Sequence, residues 1–465
     1  MSQTIDFWTL LRLTQENISQ NYASALTDKE KLSQLKSYIE KYVRDRNYTV
    51  DGYTPMQLTD RLYCEMAEYS ILTQYLGSES LEEININAWD DIALTYLDGS
   101  IVKASEHFHS PQHSVDIVKR LLHHSGMIID NATPMSQGHL PNNTRITALK
   151  EPIVDAEKGI SVSIRLLHPQ RVNRLQLIKS QMATEEMLDF LCMCIRYGIS
   201  TVVAGATSSG KTTLLNSLLT SIPDNKRIFT IESGSRELAL VRTENGITTN
   251  NVVHTLSRPS DYPAHNITQE DLVLASLRFN PDIACIGEMR DVECYSAVEA
   301  SLTGHTVVST VHAGAADAAH MRIALLCQKR FPIDFQTSLM QAGQAFPLVV
   351  YTHKLENNAR KIMDITECII LPNGQRQYNT LYRYDITKNT VNNDEFQNEG
   401  YFDKPNIMSD SLKRKLMQFG VPQTELNRFL KIEQAEHAPN SQIELLDNKN
   451  SDVSVQSPNE GSINK

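Results

Sequence analysis

The sequence predicts an α/β protein in which a parallel sheet built around a phosphate-cradling loop follows a smaller α+β domain and an N-terminal helical bundle. Three observations carry that prediction. Residues 199–219, "ISTVVAGATSSGKTTLLNSLL", run a β-branched strand into a glycine loop and then into a leucine-patterned helix. Four apolar runs end at residues able to act on a ligand: "TVVA" at Gly205, "RIFTI" at Glu232, "IACIG" at Glu288 and "TVVSTV" at His312. Upstream, helical periodicity gives way to short alternating runs.

At 465 residues the chain exceeds the roughly 250–300 residues that one hydrophobic core supports. Residues 1–76 read as the helical bundle: Leu35, Ile39 and Tyr42 follow Leu32 at steps of three and four, and Leu58, Leu62, Met66 and Tyr69 repeat the pattern. Residues 77–178 read as the α+β domain, with strands in "EEININ", "IALTYL", "TRITAL" and "GISVSIRLL" around one helix in "HSVDIVKRLLHHSGMII". The close histidines His107, His109 and His113 lack a completing cysteine or carboxylate and read as a solvated loop rather than a metal site. After a polar connection at 176–182, residues 179–400 form the third domain, opened by a helix with Thr184 as N-cap and Gly198 at its stop. A helical segment is expected at 401–433. A disordered tail follows at 434–465, too poor in apolar residues to offset its ordering entropy.

The net charge of −11 argues against broad electrostatic binding to nucleic acid. Seven scattered cysteines fit reduced, buried thiols. With no apolar run approaching about 18 residues and no basic-then-apolar start, the expected location is cytoplasmic, without a membrane span.

In the loop G-x-x-x-x-G-K-T, Gly205 and Gly210 let the backbone curl so that the N–H groups of Ala206, Thr207, Ser208, Ser209 and Thr213 face phosphate oxygens. Lys211 would reach the β- and γ-phosphates of a bound nucleotide and Thr212 would hold magnesium. Glu288 is the candidate for accepting a proton from attacking water, and Glu232 for acting on the same water or on magnesium through a water. His312, at a strand end, could bond phosphate as a neutral imidazole. His305 is equally open to a core role. Asp282, at the amino end of its strand, reads as structural.

The loop, "TIESGSREL", "LRFNPDIACIGEMRDVE" and "TGHTVVSTVHAG", in that order, resemble the secretion ATPase superfamily of type II and type IV secretion and type IV pili. The likeness is greatest to the Tad-pilus assembly branch, which "SLEEININAWDDIALTYLDG" and "RKIMDITECIILPNG" also resemble. The resemblance implies a RecA-like P-loop ATPase domain joined to an N-terminal domain and a hexameric ring. It also implies an inner-membrane platform as partner and peripheral location at the inner face of the membrane. By motif, Glu232 falls in an acidic box, Glu288 in the Walker B motif, and His305 and His312 in a histidine box; Arg145 and Arg165 are implied as N-terminal-domain arginines that approach the nucleotide. Glu232 is followed by Ser233 where the family usually writes aspartate, so Glu232 and Glu237 both stand as the acidic-box residue. Arg278, Arg290 and Arg322 match motif arginines or form structural ion pairs. The reading is an ATP-hydrolysing motor of a secretion, pilus or conjugation machine. The alternatives are a RecA-like nucleic-acid translocase and a nucleotide-gated, non-hydrolysing scaffold.

Overall fold

The computed structural model describes residues 3–22, 32–140, 144–166, 173–258, 262–392 and 395–431. The expected disordered tail, and the turn inside "LPNNTR", lie outside these residues.

The chain opens with helices α1 (Phe7–Asn21), α2 (Leu32–Asp45) and α3 (Pro55–Ala67). Asp6 caps α1 by accepting the Thr9 N–H, and Thr54 forms a capping box with Gln57 ahead of the proline that starts α3. Leu10, Ile18, Leu35, Ile39, Leu58 and Leu62 bury one shared apolar cluster.

Next come β1 (Leu81–Ala88), β2 (Asp91–Tyr96), β3 (Ile101–Lys103), α4 (Pro111–His123), β4 (Met135–His139), β5 (Arg145–Lys150) and β6 (Ile160–Arg165). The strands pair antiparallel in the order β3-β2-β1-β6-β5-β4. Isoleucines at alternate positions (Ile84 and Ile86 in β1, Ile160 and Ile164 in β6) bury one face against α4.

His107 and His109 lie exposed in an irregular segment, as read, whereas His113 falls in the first turn of α4 and helps join this domain to the bundle. His109 stacks on Trp8 at 4.0 Å, His113 Nε2 lies 3.0 Å from the buried Glu65, and Arg120 donates to the Glu65 and Met66 carbonyl oxygens. The His109 ring covers the Trp8 indole while His113 pairs with a carboxylate buried in the bundle, so the bundle is fixed to this sheet.

A helix, α5 (Arg174–Lys179), replaces the expected polar connection, because Asn173 and Gln176 make a reciprocal capping box. Then follow α6 (Glu185–Arg196), β7 (Thr201–Gly205), α7 (Lys211–Thr220), β8 (Arg227–Glu232), β9 (Asn251–Leu256), α8 (Gln269–Ser276), β10 (Ile283–Met289), α9 (Glu293–Leu302), β11 (Thr306–Val311), α10 (Ala316–Gln328), α11 (Phe335–Ala345) and β12 (Leu348–Lys354). Strands β9-β8-β10-β11-β7-β12 are parallel in that order. Such strands are buried on both faces, as the unbroken burial of β7 and β11 shows. One apolar layer, including Leu188, Leu191, Leu214 and Leu218, covers one face; another, including Ile286, Val298, Ile323 and Phe346, covers the other.

The sheet continues antiparallel through β13 (Arg360–Ile370), β14 (Arg376–Asn392) and β15 (Glu395–Asp403). Helices α12 (Asp410–Gln418) and α13 (Gln423–Asn427) pack Leu412, Leu416 and Leu426 back onto the first layer. Among the described residues no helix is long and apolar enough to cross a membrane.

Leu218 is 1% exposed in the layer beneath the glycine loop. Leu218→Ala is expected to cost about 2–5 kcal/mol of stability, read as a lower urea midpoint for the transition that reports this sheet. An unchanged midpoint would show that the layer collapses around the loss.

Candidate active site

The glycine loop begins where β7 ends. A Cβ on Gly205 would lie 2.4 Å from Ser209 Oγ and 2.5 Å from the Thr352 carbonyl oxygen, so only glycine fits the corner. Thr352 stands in register with Gly205. Its Oγ1 donates to the Ala204 carbonyl at 3.1 Å and lies 3.0 Å from Ser209 Oγ. Ser208 (φ 60°) and Gly210 (φ 92°) then pass through the left-handed region, and α7 starts at Lys211. Backbone N–H groups of the loop and of the first turn of α7 are thereby gathered as an anion cradle.

Lys211 is largely buried, and its Nζ donates to the carbonyls of Gly205 at 3.1 Å and Ala206 at 2.7 Å. Burial pushes its pKa down, while the Glu288 carboxylate acts in the opposite direction. Above the loop opens a cleft of about 1020 Å³. Loop residues 207 to 213 form one wall, and Glu288, Arg290, Thr310 and His312 enter from the carboxyl ends of β10 and β11. Arg145, Arg165 and Glu82 enter from the six-stranded sheet, with Asn357 and Asn358 from the turn between β12 and β13 and Arg360 from the start of β13.

Glu288 reaches the cleft because β10 leaves register with β11 between Ile286 and Met289, a break held by the Thr310 hydroxyl donating to the Gly287 carbonyl at 2.8 Å. One carboxylate oxygen lies 3.0 Å from His312 Nε2 and the other 3.8 Å from Arg290 Nη1. Burial, followed by the charge of Lys211, holds the His312 pKa below its ordinary value. Near pH 7 it is therefore a neutral ring able to donate an N–H to the carboxylate.

The acidic box divides into two. Glu232 ends β8 but does not line the cleft: it is buried, and one oxygen accepts the backbone N–H groups of Glu237 at 2.7 Å and Leu238 at 3.0 Å. Burial raises its pKa to about 7, outweighing those two bonds, which act to lower it. The chain after Glu232 folds back over it and presents Glu237 to the cleft instead, where Arg145 Nη2 donates to Glu237 at 3.1 Å and to Ser235 Oγ at 3.3 Å. Of the two acidic-box candidates, Glu237 lines the cleft and Glu232 lies behind it.

Arg145 and Arg165 face each other in register on β5 and β6 and both project into the cleft. His305 lies at the other end of β11, bonded to the Ala300 carbonyl. Asp282 is likewise remote, accepting from Lys226 Nζ and the Arg227 N–H, each at 2.8 Å. Of the three further motif arginines, Arg290 lines the cleft, while Arg278 and Arg322 do not.

Thr212, Glu288 and Glu237 give the cleft oxygen donors, the class magnesium takes. Among the described residues no group of three or more His, Cys, Asp or Glu is arranged to hold a metal by itself. This donor set suits an ion that arrives with phosphate oxygens. Sequence reasoning missed Thr352, Arg360 and Glu82. The strand-turn-strand pattern of "LVVYTHKLENNARKI" was the available signal for the first two, and nothing local marked Glu82.

The sequence model of the family described as "Type II/IV secretion system protein" matches residues 66–384. An uncharacterised protein of Methanocaldococcus jannaschii is 30% identical over 260 residues, 53% of this chain and 45% of its own. The type IV secretion system protein PtlH of Bordetella pertussis is 32% identical over 183 residues, 38% of this chain and 52% of its own. The chain spans about half the length of these curated relatives. Among solved structures, the ATPase DotB of Legionella pneumophila matches with a TM-score of 0.44 at 17% identity, covering 76% of this chain and 83% of its own. With a family match over well more than half its length, carried through the glycine loop, Glu288 and His312, the chain belongs to the type II/IV secretion system protein family, within the secretion ATPase superfamily.

Proposed function

We propose that this chain is the ATP-hydrolysing motor of a type II or type IV secretion, Tad-like pilus or conjugation machine. In this reading it acts as a hexameric ring at the inner face of a membrane platform. The observation that carries the reading is the composition of one cleft: the glycine loop with Lys211, the Glu288–His312 pair, and two arginines from a separate sheet all line it. A nucleotide holder needs the first of these; hydrolysis coupled to domain movement needs all three.

The loop N–H groups and Lys211 hold the β- and γ-phosphates, and Thr212 would hold magnesium, which when bound neutralises charge on the phosphate oxygens. Glu288 accepts the proton of the attacking water, with His312 donating to the same carboxylate and so fixing its orientation. Arg145 and Arg165 neutralise charge developing on the transferred group, a contribution worth about 10³–10⁵ in rate in related chemistry. Residues 77–178, carrying the bundle of 1–76, and residues 179–400 are the two units that close on the nucleotide, and opening after hydrolysis returns the stroke. Glu237 is the acidic residue at the phosphate, and Glu232 fixes the backbone that presents it. The net charge of −11 gives no support to a nucleic-acid translocase.

Lys211→Ala is expected to abolish binding of a fluorescent ATP analogue, whereas Glu288→Gln retains binding and loses phosphate release by at least about 10²-fold. Equal turnover by wild type and Glu288→Gln would remove Glu288 from the mechanism. A mass measurement in the presence of ATP is expected to return a six-subunit particle, and monomer alone would contradict the ring.

The buried carboxyl of Glu232 generates a pH test. Below about pH 4.5, its ordinary value, it is protonated whether the chain is folded or not. Between there and its folded value of about 7 the folded protein keeps a proton that the unfolded chain gives up, so stability falls as pH rises through this window. The loss is on the order of 3 kcal/mol. Glu232→Gln is expected to flatten that part of the profile of unfolding midpoint against pH, and parallel profiles would refute the assignment.

A further inference from the structure

Glu82, near the start of β1, is 23% exposed at the cleft edge and sits between two guanidinium groups. Arg165 Nη2 lies 3.7 Å from one carboxylate oxygen, and Arg360 Nη2 lies 3.8 Å from the other. Arg360 in turn donates its Nε to the carbonyl of Ser208, in the glycine loop, at 2.9 Å. A continuous chain therefore runs from Arg165 through Glu82 and Arg360 to the loop, across the boundary between the two sheets. The neighbouring arginine is held in the same manner, Arg145 by Glu237.

We infer that Glu82 is a positioning residue: a resident carboxylate, anchored by Arg360, that occupies Arg165 until a nucleotide phosphate displaces it, and that recaptures Arg165 as product leaves. This rests on the reading of the cleft as an ATPase site. A carboxylate and a phosphate oxygen present the same acceptor chemistry to a guanidinium, so Glu82 and the nucleotide compete for one donor. Both ion pairs are longer than a direct hydrogen bond and partly solvated, so the hold is weak enough to exchange. The competition has two consequences: Glu82 weakens nucleotide affinity in the open cleft, and it speeds the departure of ADP. Its loss lowers KM and kcat together, whereas a residue that merely supports the fold would raise KM as kcat falls.

The test is titration of a fluorescent ADP analogue into wild type, Glu82→Gln, Arg165→Ala and the double variant, with steady-state KM and kcat for the first two. Glu82→Gln, which keeps size but removes charge, is expected to tighten ADP binding about three- to tenfold and to lower both KM and kcat. In the Arg165→Ala background the same change is expected to alter ADP affinity by less than twofold, because the donor under competition is gone. Unchanged or weaker ADP binding by Glu82→Gln, or a gain that survives in the Arg165→Ala background, would overturn the inference. Lys211→Ala run beside these separates the two levels: if it binds ADP as wild type does, the nucleotide site itself is wrong, whereas if it loses binding while Glu82→Gln matches wild type, only the exchange role fails.

Discussion

The corner at Gly205 is the constraint on which the rest of the site depends. The chain must leave β7, reverse inside the space bounded by Thr352 and Ser209, and enter α7 within a few residues, and a side chain at 205 would collide with all three atoms that define that space. Thr352 is fixed by sheet register rather than by the loop, so the position of the anion cradle is set by the pairing of β12 with β7. Strands β10 and β11 lie on the other side of β7 in the same parallel sheet, and their carboxyl ends bring Glu288 and His312 to the cradle without further specification. The chemistry is thus positioned by a rigid element, with the loop supplying N–H groups and the strands supplying side chains.

Charge balance is the second organising condition. Lys211, Arg145, Arg165, Arg290 and Arg360 line or border a common cleft, and Glu82, Glu237 and Glu288 are distributed among them. Each carboxylate is within 4 Å of at least one cation, so the cleft is neutralised from within rather than left as a strongly basic pocket. Under the proposed function, a phosphate chain entering it exchanges partners with carboxylates already present. The buried Lys211 illustrates the cost of the alternative: burial alone pushes it toward losing its proton, and the field of Glu288 opposes that loss.

The sequence was most informative where local chemistry and long-range structure coincide. The strand-loop-helix at 199–219, the four parallel strand ends and the capping residue Thr184 each combine a periodic apolar pattern with a terminator, and the structure contains all of them. It was least informative where a residue's role is set by a distant partner. Glu232 and Glu237 differ by five positions in one polar stretch, and which of them faces the cleft is decided by two backbone hydrogen bonds within a loop of no regular period. Trp8 and His109 are 101 positions apart, so nothing near either residue announces their stacking. Glu82 sits in a run whose alternation predicts a strand but would place it on the buried face of Ile84 and Ile86; a register shift between Leu81 and Glu83 frees it, and its two arginine partners come from β6 and the start of β13.

The weakness of the contacts across the cleft bears directly on how such a site can cycle. The ion pairs joining the two sheets, Arg145 with Glu237 and Glu82 with Arg360, involve side chains between 23% and 39% exposed, for which about 0–1 kcal/mol each is the appropriate scale. Hydrogen bonds from arginine or lysine to a charged phosphate are worth about 1.5–3 kcal/mol each. Moving a two-state equilibrium from mostly open to mostly closed takes about 5.5 kcal/mol of differential binding. Two or three phosphate contacts made only in the closed arrangement reach that figure after the resident pairs are given up, whereas buried, tightly paired arginines would consume most of it. The partly solvated pairs therefore suit a cleft whose state follows its ligand, and the joint between the helical bundle and the six-stranded sheet, where His113 meets the buried Glu65, suits a unit that moves as one piece under the proposed closure.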